Sequence, residues 1–139
     1  MLLKQILSED IMKYRLMDLL ACPICKHWPL ELIPFTENRY NYENLPNKIP
    51  YCKDYCGLNK AKISELKIDQ LNCKECVTHE IAEGILICNQ CGRWYPITEE
   101  IPIMLPDPLR NGKEDLDFLK KWTEKIPEKV LKEGKPIHL

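Results

Sequence analysis

The chain has 139 residues, with 20 lysines and arginines against 21 aspartates and glutamates, for a formal net charge of -1. That balance weighs against a strongly basic nucleic-acid footprint, because affinity for phosphate backbones comes mainly from clustered Lys and Arg. The length is one domain's worth, and no run approaches the roughly 18 apolar residues that a membrane span needs.

Eight cysteines stand out in an otherwise ordinary composition, 45% hydrophobic and 29% charged. Met1 to Leu7 is followed at once by Ser8, Glu9 and Asp10, so no apolar signal core develops and a cytoplasmic location is expected. In an intracellular chain, paired cysteines read as metal-binding or redox groups before they read as a disulfide scaffold.

Residues 1–11 read as an N-terminal extension, either a short helix or a leader. Leu16, Leu19 and Leu20, with Met17 beside them, recur at helical spacing and predict a short helix whose apolar stripe is core. It runs into Cys22-Pro23-Ile24-Cys25. Pro29 to Phe35 then predicts a strand that Pro34 places at an edge or ends. Residues 36–50 read as loop, followed by Cys52, Cys56 and Gly57. Asn59 to Leu71 carries an approximate helical stripe and predicts a helix ahead of Cys73 and Cys76. Gly84 to Ile87 predicts a strand leading into Cys88, Cys91 and Gly92. Trp94 to Ile97 and Ile101 to Leu105 are extended runs joined by an acidic turn. Asn111, with Glu114 three residues on, caps a helix whose face is Leu116, Leu119, Trp122 and Ile126. Pro127 stops that helix and opens another, which Gly134 ends. The predicted fold is therefore α+β: a small zinc-ribbon-like antiparallel sheet with two Cys-x-x-Cys knuckles, flanking helices and an inserted segment. Residues 12–35 and 81–110 form a discontinuous zinc-binding domain. Residues 36–80 are the insertion and 111–139 a C-terminal helical tail.

Cys22, Cys25, Cys88 and Cys91 carry the sharpest chemistry. Each pair supplies two ligands, and structural zinc takes four in a tetrahedron. Backbone N–H groups in such knuckles point at the thiolates and help them carry charge. Each pair adjoins a predicted strand rather than a βαβ unit, which sets it apart from a thioredoxin-like redox motif. Four cysteine ligands leave no open position, so this Zn2+ is structural and not catalytic. Cys52, Cys56, Cys73 and Cys76 have spacing that permits a second metal site, and the alternatives are disulfides or free thiols. His27 and His79 adjoin cysteine pairs as candidate donors or as plain surface residues. No Ser-His-Asp set, phosphate-cradling glycine loop or spaced carboxylate pair occurs, so catalytic and cofactor-binding residues are expected to be absent. Trp94 to Ile97 and Ile101 to Leu105 read either as core or as an apolar edge open to a partner strand, since Pro96 and Pro102 each remove a ladder donor.

The segments MDLLACPICKHWPLEL, EGILICNQCGRWYPI and IPIMLPDPLR together resemble the small zinc-binding activator subunit shared by several tRNA and release-factor methyltransferases of eukaryotes and archaea, the archaeal forms above all. The resemblance covers Met12 to Leu32 and Ala82 to Arg110. It implies a non-catalytic subunit that binds, solubilises and activates S-adenosylmethionine-dependent methyltransferases acting on tRNA and translation factors, with tRNA met only indirectly. It implies a heterodimer formed by strand addition, the strand after the second knuckle extending the enzyme's sheet. On that basis Trp94, Tyr95, Pro96, Ile97, Ile101, Pro102, Met104 and Leu105 face the partner, and Cys22, Cys25, Cys88 and Cys91 hold the zinc. The family carries glycine before the Ile-Pro pair where this chain has Glu100, so a turn needing positive φ there is strained. The second cysteine set is not a general family feature. The rival readings are a zinc-ribbon nucleic-acid-binding module, which would need a basic, aromatic-dotted face, and a thiol oxidoreductase, which would need a low-pKa, accessible thiolate.

Overall fold

The computed structural model describes residues 12–139, so the expected N-terminal extension lies outside the described residues. The sheet is antiparallel, in the order β1 (Glu31–Arg39), β4 (His79–Ile87), β5 (Trp94–Thr98), β6 (Ile101–Pro102). A separate two-stranded ribbon pairs β2 (Tyr55–Cys56) with β3 (Ala61–Lys62). The helices are α1 (Cys73–Cys76), α2 (Gly112–Lys121) and α3 (Glu128–Glu133). This is the expected α+β, zinc-ribbon-like architecture.

The sheet has a core on each face. β4 lies inside it, and Ile85, Leu86 and Ile87 are all buried. Successive side chains of a strand point to opposite faces. Leu86, with Tyr95 and Ile97 of β5, joins Met12, Leu16, Met17, Leu30 and Leu32 on one face. Ile85, Ile87 and Trp94 join Phe35, Phe118, Leu119, Ile126 and Val130 on the other. The C-terminal helices therefore form a third layer over the sheet. Asn111 caps α2 through its side-chain oxygen, which accepts from the amides of Lys113 and Glu114 at 3.1 and 3.2 Å. Pro127 precedes α3 and Gly134 follows it, as the sequence predicts, but α2 ends at Lys121 with Trp122 as its C-cap and is not carried on to Pro127.

Four local expectations are corrected. The segment before the first knuckle is a 3-10 turn, Tyr14–Asp18, and Leu19 is 56% exposed rather than core. β1 does not end at Pro34 but continues to Arg39, with irregular register between Pro34 and Glu37. A bulge absorbs the local misfit, and β1 keeps the edge position that a proline favours. β1 and β4 pair out to Arg39 and His79, so boundaries at 35 and 81 would cut across a continuous ladder. The predicted helix over 59–71 is replaced by β3 and two 3-10 turns, Ile63–Glu65 and Ile68–Gln70. Ile63, Leu66 and Leu71 are only half-buried and Ile68 is exposed, so that stripe lacks the packing that stabilises a short helix.

A buried ion pair ties the insertion to the sheet. Lys13 and Glu80 are both almost fully buried and paired. Lys13 Nζ also donates to Tyr42 Oη at 2.8 Å and to the Val77 carbonyl at 3.2 Å, and Tyr42 donates to Glu80 at 2.7 Å. Removing one partner of such a pair strands the other charge, at a cost of about 3–5 kcal/mol. Lys13→Met is expected to lose about that much stability in urea titrations, and adding Glu80→Leu to recover most of it.

Candidate metal centre

The two knuckles are built alike. In the first, the Cys22 amide donates to the His27 carbonyl and the Lys26 amide to the Cys22 carbonyl, both at 2.9 Å. In the second, Cys88 donates to Arg93 at 2.8 Å and Gly92 to Cys88 at 2.9 Å. The fourth residue after each leading cysteine is left-handed, Lys26 at φ 65° and Gly92 at φ 82°. Glycine takes that conformation without strain, and Lys26 bears it at a cost.

These turns bring all four thiols together, with the sulfurs of Cys22, Cys25, Cys88 and Cys91 within 4.8 Å of one another. Cys22 to Cys91 is 3.7 Å and Cys25 to Cys88 is 3.4 Å. A tetrahedron with metal–sulfur bonds of about 2.3 Å has edges of about 3.8 Å, so the set fits a single four-coordinate ion. No histidine enters it: His27 contributes its backbone carbonyl, and the His79 ring lies between Glu75 at 3.1 Å and Glu37 at 3.8 Å.

The surroundings favour thiolates unequally. Burial raises Cys22, but the Tyr95 hydroxyl and the amides of Cys25 and Ile24 outweigh it and bring the thiol down to about 6. Burial pushes Cys88 up to about 12 despite the amides of Cys91 and Gln90. Tyr95 Oη lies 3.2 Å from Cys22 Sγ. Burial and the neighbouring Cys22 hold the phenol neutral, so it donates its proton toward the sulfur. Arg93, fixed to Asp107 at 2.9 and 2.8 Å, brings a positive charge beside Cys91. The Tyr95 contact is invisible to motif reading, because only the pairing of β5 with β4 carries the hydroxyl to the first knuckle.

β1, β4 and β5 pair with one another and so hold the two knuckles together. The Trm112p-like protein family matches residues 13–100, which takes in both knuckles and the intervening insertion. The chain belongs to the Trm112p-like family. Membership supports a methyltransferase-activating partner role in general. No curated protein and no solved structure matches the chain.

In this Trm112p-like chain the expected partner surface divides in two. Trp94, Tyr95 and Ile97 are 0% exposed, and Pro96 is buried too. These four residues are core and are corrected as interface residues. Trp94 stacks on Phe118 at 5.7 Å, lies under the Arg110 guanidinium at 4.7 Å and donates from its indole to the Ile137 carbonyl at 2.8 Å. The outer edge of β5 is also occupied. The Trp94 amide donates to Lys135, the Trp94 carbonyl accepts from Arg110 at 2.7 Å and the Pro96 carbonyl accepts from Ile103 at 2.9 Å. β5 is therefore an inner strand, and the free edge lies one strand further out. There Ile101 is 52% and Leu105 38% exposed, with Pro102 and Met104 half-buried.

The turn that presents this edge is the one marked by Glu100. Glu99 and Glu100 adopt φ 49° and 67°, the positive pair of a two-residue hairpin turn. Glu100 is held there by its surroundings. Its amide donates to Ala82 at 3.0 Å, its carbonyl accepts from Met12 at 2.7 Å, and its carboxylate accepts from Asn38 at 2.8 Å and Tyr40 at 2.6 Å. Four polar contacts offset the strain of a non-glycine residue in this conformation.

The second cysteine set lies apart from the first. Cys52, Cys56, Cys73 and Cys76 are all free thiols lining one cavity. Burial pushes Cys52 and Cys76 up to about 12. A redox nucleophile needs the opposite, a depressed and accessible thiolate, so neither of these two is suited to that task. Among the described residues, no helix is long and apolar enough to cross a membrane.

Proposed function

We propose that this chain is the zinc-binding, non-catalytic subunit of S-adenosylmethionine-dependent methyltransferases that modify tRNA and translation factors in the cytoplasm. Zn2+ at Cys22, Cys25, Cys88 and Cys91 would be structural, since thiolate sets of this geometry suit zinc and leave it no open position. The partner supplies the methyl-donor pocket, the catalytic groups and the contacts to tRNA.

The observation that carries this reading is the segment from Ile101 to Leu105, where Ile101 and Leu105 present apolar side chains outside both cores while Met104 packs back against the first. Unpaired backbone on such an edge accepts a strand from another protein, and the exposed apolar side chains give that contact its specificity. The metal centre's part is indirect: it locks the start of β1 to the end of β4, which fixes the sheet that holds the edge. The test is a tagged pull-down from native cell extract with mass spectrometry of the captured proteins. Stoichiometric S-adenosylmethionine-dependent methyltransferases are the expected result. A chain recovered alone, or with nucleic acid in their place, would contradict the reading.

A further inference from the structure

The insertion between β1 and β4 lacks a core of its own. From Tyr40 to Thr78 the buried residues are Cys56, Gly57, Cys76 and Val77. Irregular connections longer than about 12–15 residues are uncommon inside compact domains, and a small unit without a core needs a staple. The insertion is nevertheless shaped. The Asp18 carboxylate accepts from the amides of Lys53, Asp54 and Tyr55 at 2.7–2.8 Å. Gly57 approaches the 3-10 turn so closely that a Cβ there would lie 2.2 Å from the Tyr14 carbonyl oxygen.

At the centre of this segment, Cys52, Cys56, Cys73 and Cys76 surround a cavity of about 20 Å³. A void of that size holds one water-sized particle, which suits a single ion. The cysteines reach it from the loop before β2, from β2 itself and from the turn of α1. Two further features suit thiolates. Both the amide and the side-chain nitrogen of Asn59 donate to Cys56 Sγ, at 3.4 and 3.3 Å, as backbone donors do in the metal knuckles. Arg15 also lines the cavity, and its Nε is buried with no hydrogen-bond partner. Four thiolates around a divalent cation leave two negative charges, one of which a guanidinium in that position would offset. Among the described residues the Cys22 set alone is drawn within 4.8 Å, so the second set is gathered but open.

We propose that Cys52, Cys56, Cys73 and Cys76 form a second structural tetrathiolate site for Zn2+, which closes the insertion onto the 3-10 turn through Arg15. Binding exchanges thiol protons for the cation and needs no oxidant, in contrast to disulfide formation.

The experiment is metal analysis of the full-length chain purified under reducing conditions, by plasma emission and native mass spectrometry, with thiol counting by alkylation after denaturation. The expected result is about two zinc ions per chain, falling to about one in Cys73→Ser, as four thiolates per tetrahedral ion require. One zinc per chain overturns the proposal, whether the remaining cysteines alkylate freely or are blocked as disulfides. Iron with charge-transfer absorption at the second set overturns it too. Should Cys73→Ser not fold, the wild-type stoichiometry and thiol count give the same decision. That stoichiometry does not depend on which protein, if any, the chain binds.

Discussion

Cys88→Ser is expected to leave no cooperatively folded protein at 25 °C. Cys88 is fully buried where β4 ends, adjoining the first core as well as the other three thiols. Structural zinc in small domains contributes about 10–16 kcal/mol of folding free energy, whereas whole domains are stable by only about 5–15 kcal/mol. Loss of one ligand of four therefore threatens the entire margin. A tight chelator added to the wild type should have the same effect, with loss of near-ultraviolet dichroism from Trp94 and Tyr95. The measurement is urea denaturation followed by that signal, with and without chelator. A cooperative transition that survives chelation at an unchanged midpoint would show that hydrophobic packing alone holds the sheet.

The second large effect concerns the edge. Ile101→Asp and Leu105→Asp are expected to weaken partner capture by about 30-fold or more, the consequence of losing a contact worth about 2 kcal/mol at an interface. Both side chains are exposed in the isolated chain, so its own stability should change by only about 0.5 kcal/mol. Trp94→Ala should behave in the opposite way. It opens a cavity beneath α2 and removes the contacts to Phe118 and Arg110, at about 3–5 kcal/mol of the chain's own stability. Thermal melts alongside quantitative co-purification separate the two outcomes. Unchanged capture by a well-folded Ile101→Asp variant would remove the edge from the interface.

The parts legible in the sequence were those set by short-range chemistry. The knuckles follow from cysteine spacing and a local turn, so Cys22, Cys25, Cys88 and Cys91 could be grouped before any fold was known. The Asn111 cap and the Pro127 and Gly134 boundaries are likewise decided within a few residues. What escaped depends on which surface a segment meets. Trp94 to Ile97 read equally as core or edge until the C-terminal helices were seen to cover Trp94 and β4 to bring Tyr95 against Cys22. Leu19 matched a helical stripe, but the chain makes only a 3-10 turn there and the residue points outward. The stripe over 59–71 had the right spacing and too little to pack against. Pro34 marked an edge strand correctly, but a bulge let β1 run on. Positive φ at Glu100 was the strain foreseen at that position, while its compensation by Asn38, Tyr40, Ala82 and Met12 required the sheet to be assembled.

The measurement that bears most directly on the central claim is methyl transfer by the captured enzyme, assayed with radiolabelled S-adenosylmethionine and unfractionated tRNA, with and without this chain. The expected result is no transfer by the chain alone, little by the enzyme alone, and full activity on mixing with the metal-loaded chain but not with Ile101→Asp. Equal transfer by the enzyme in the absence of the chain would contradict it.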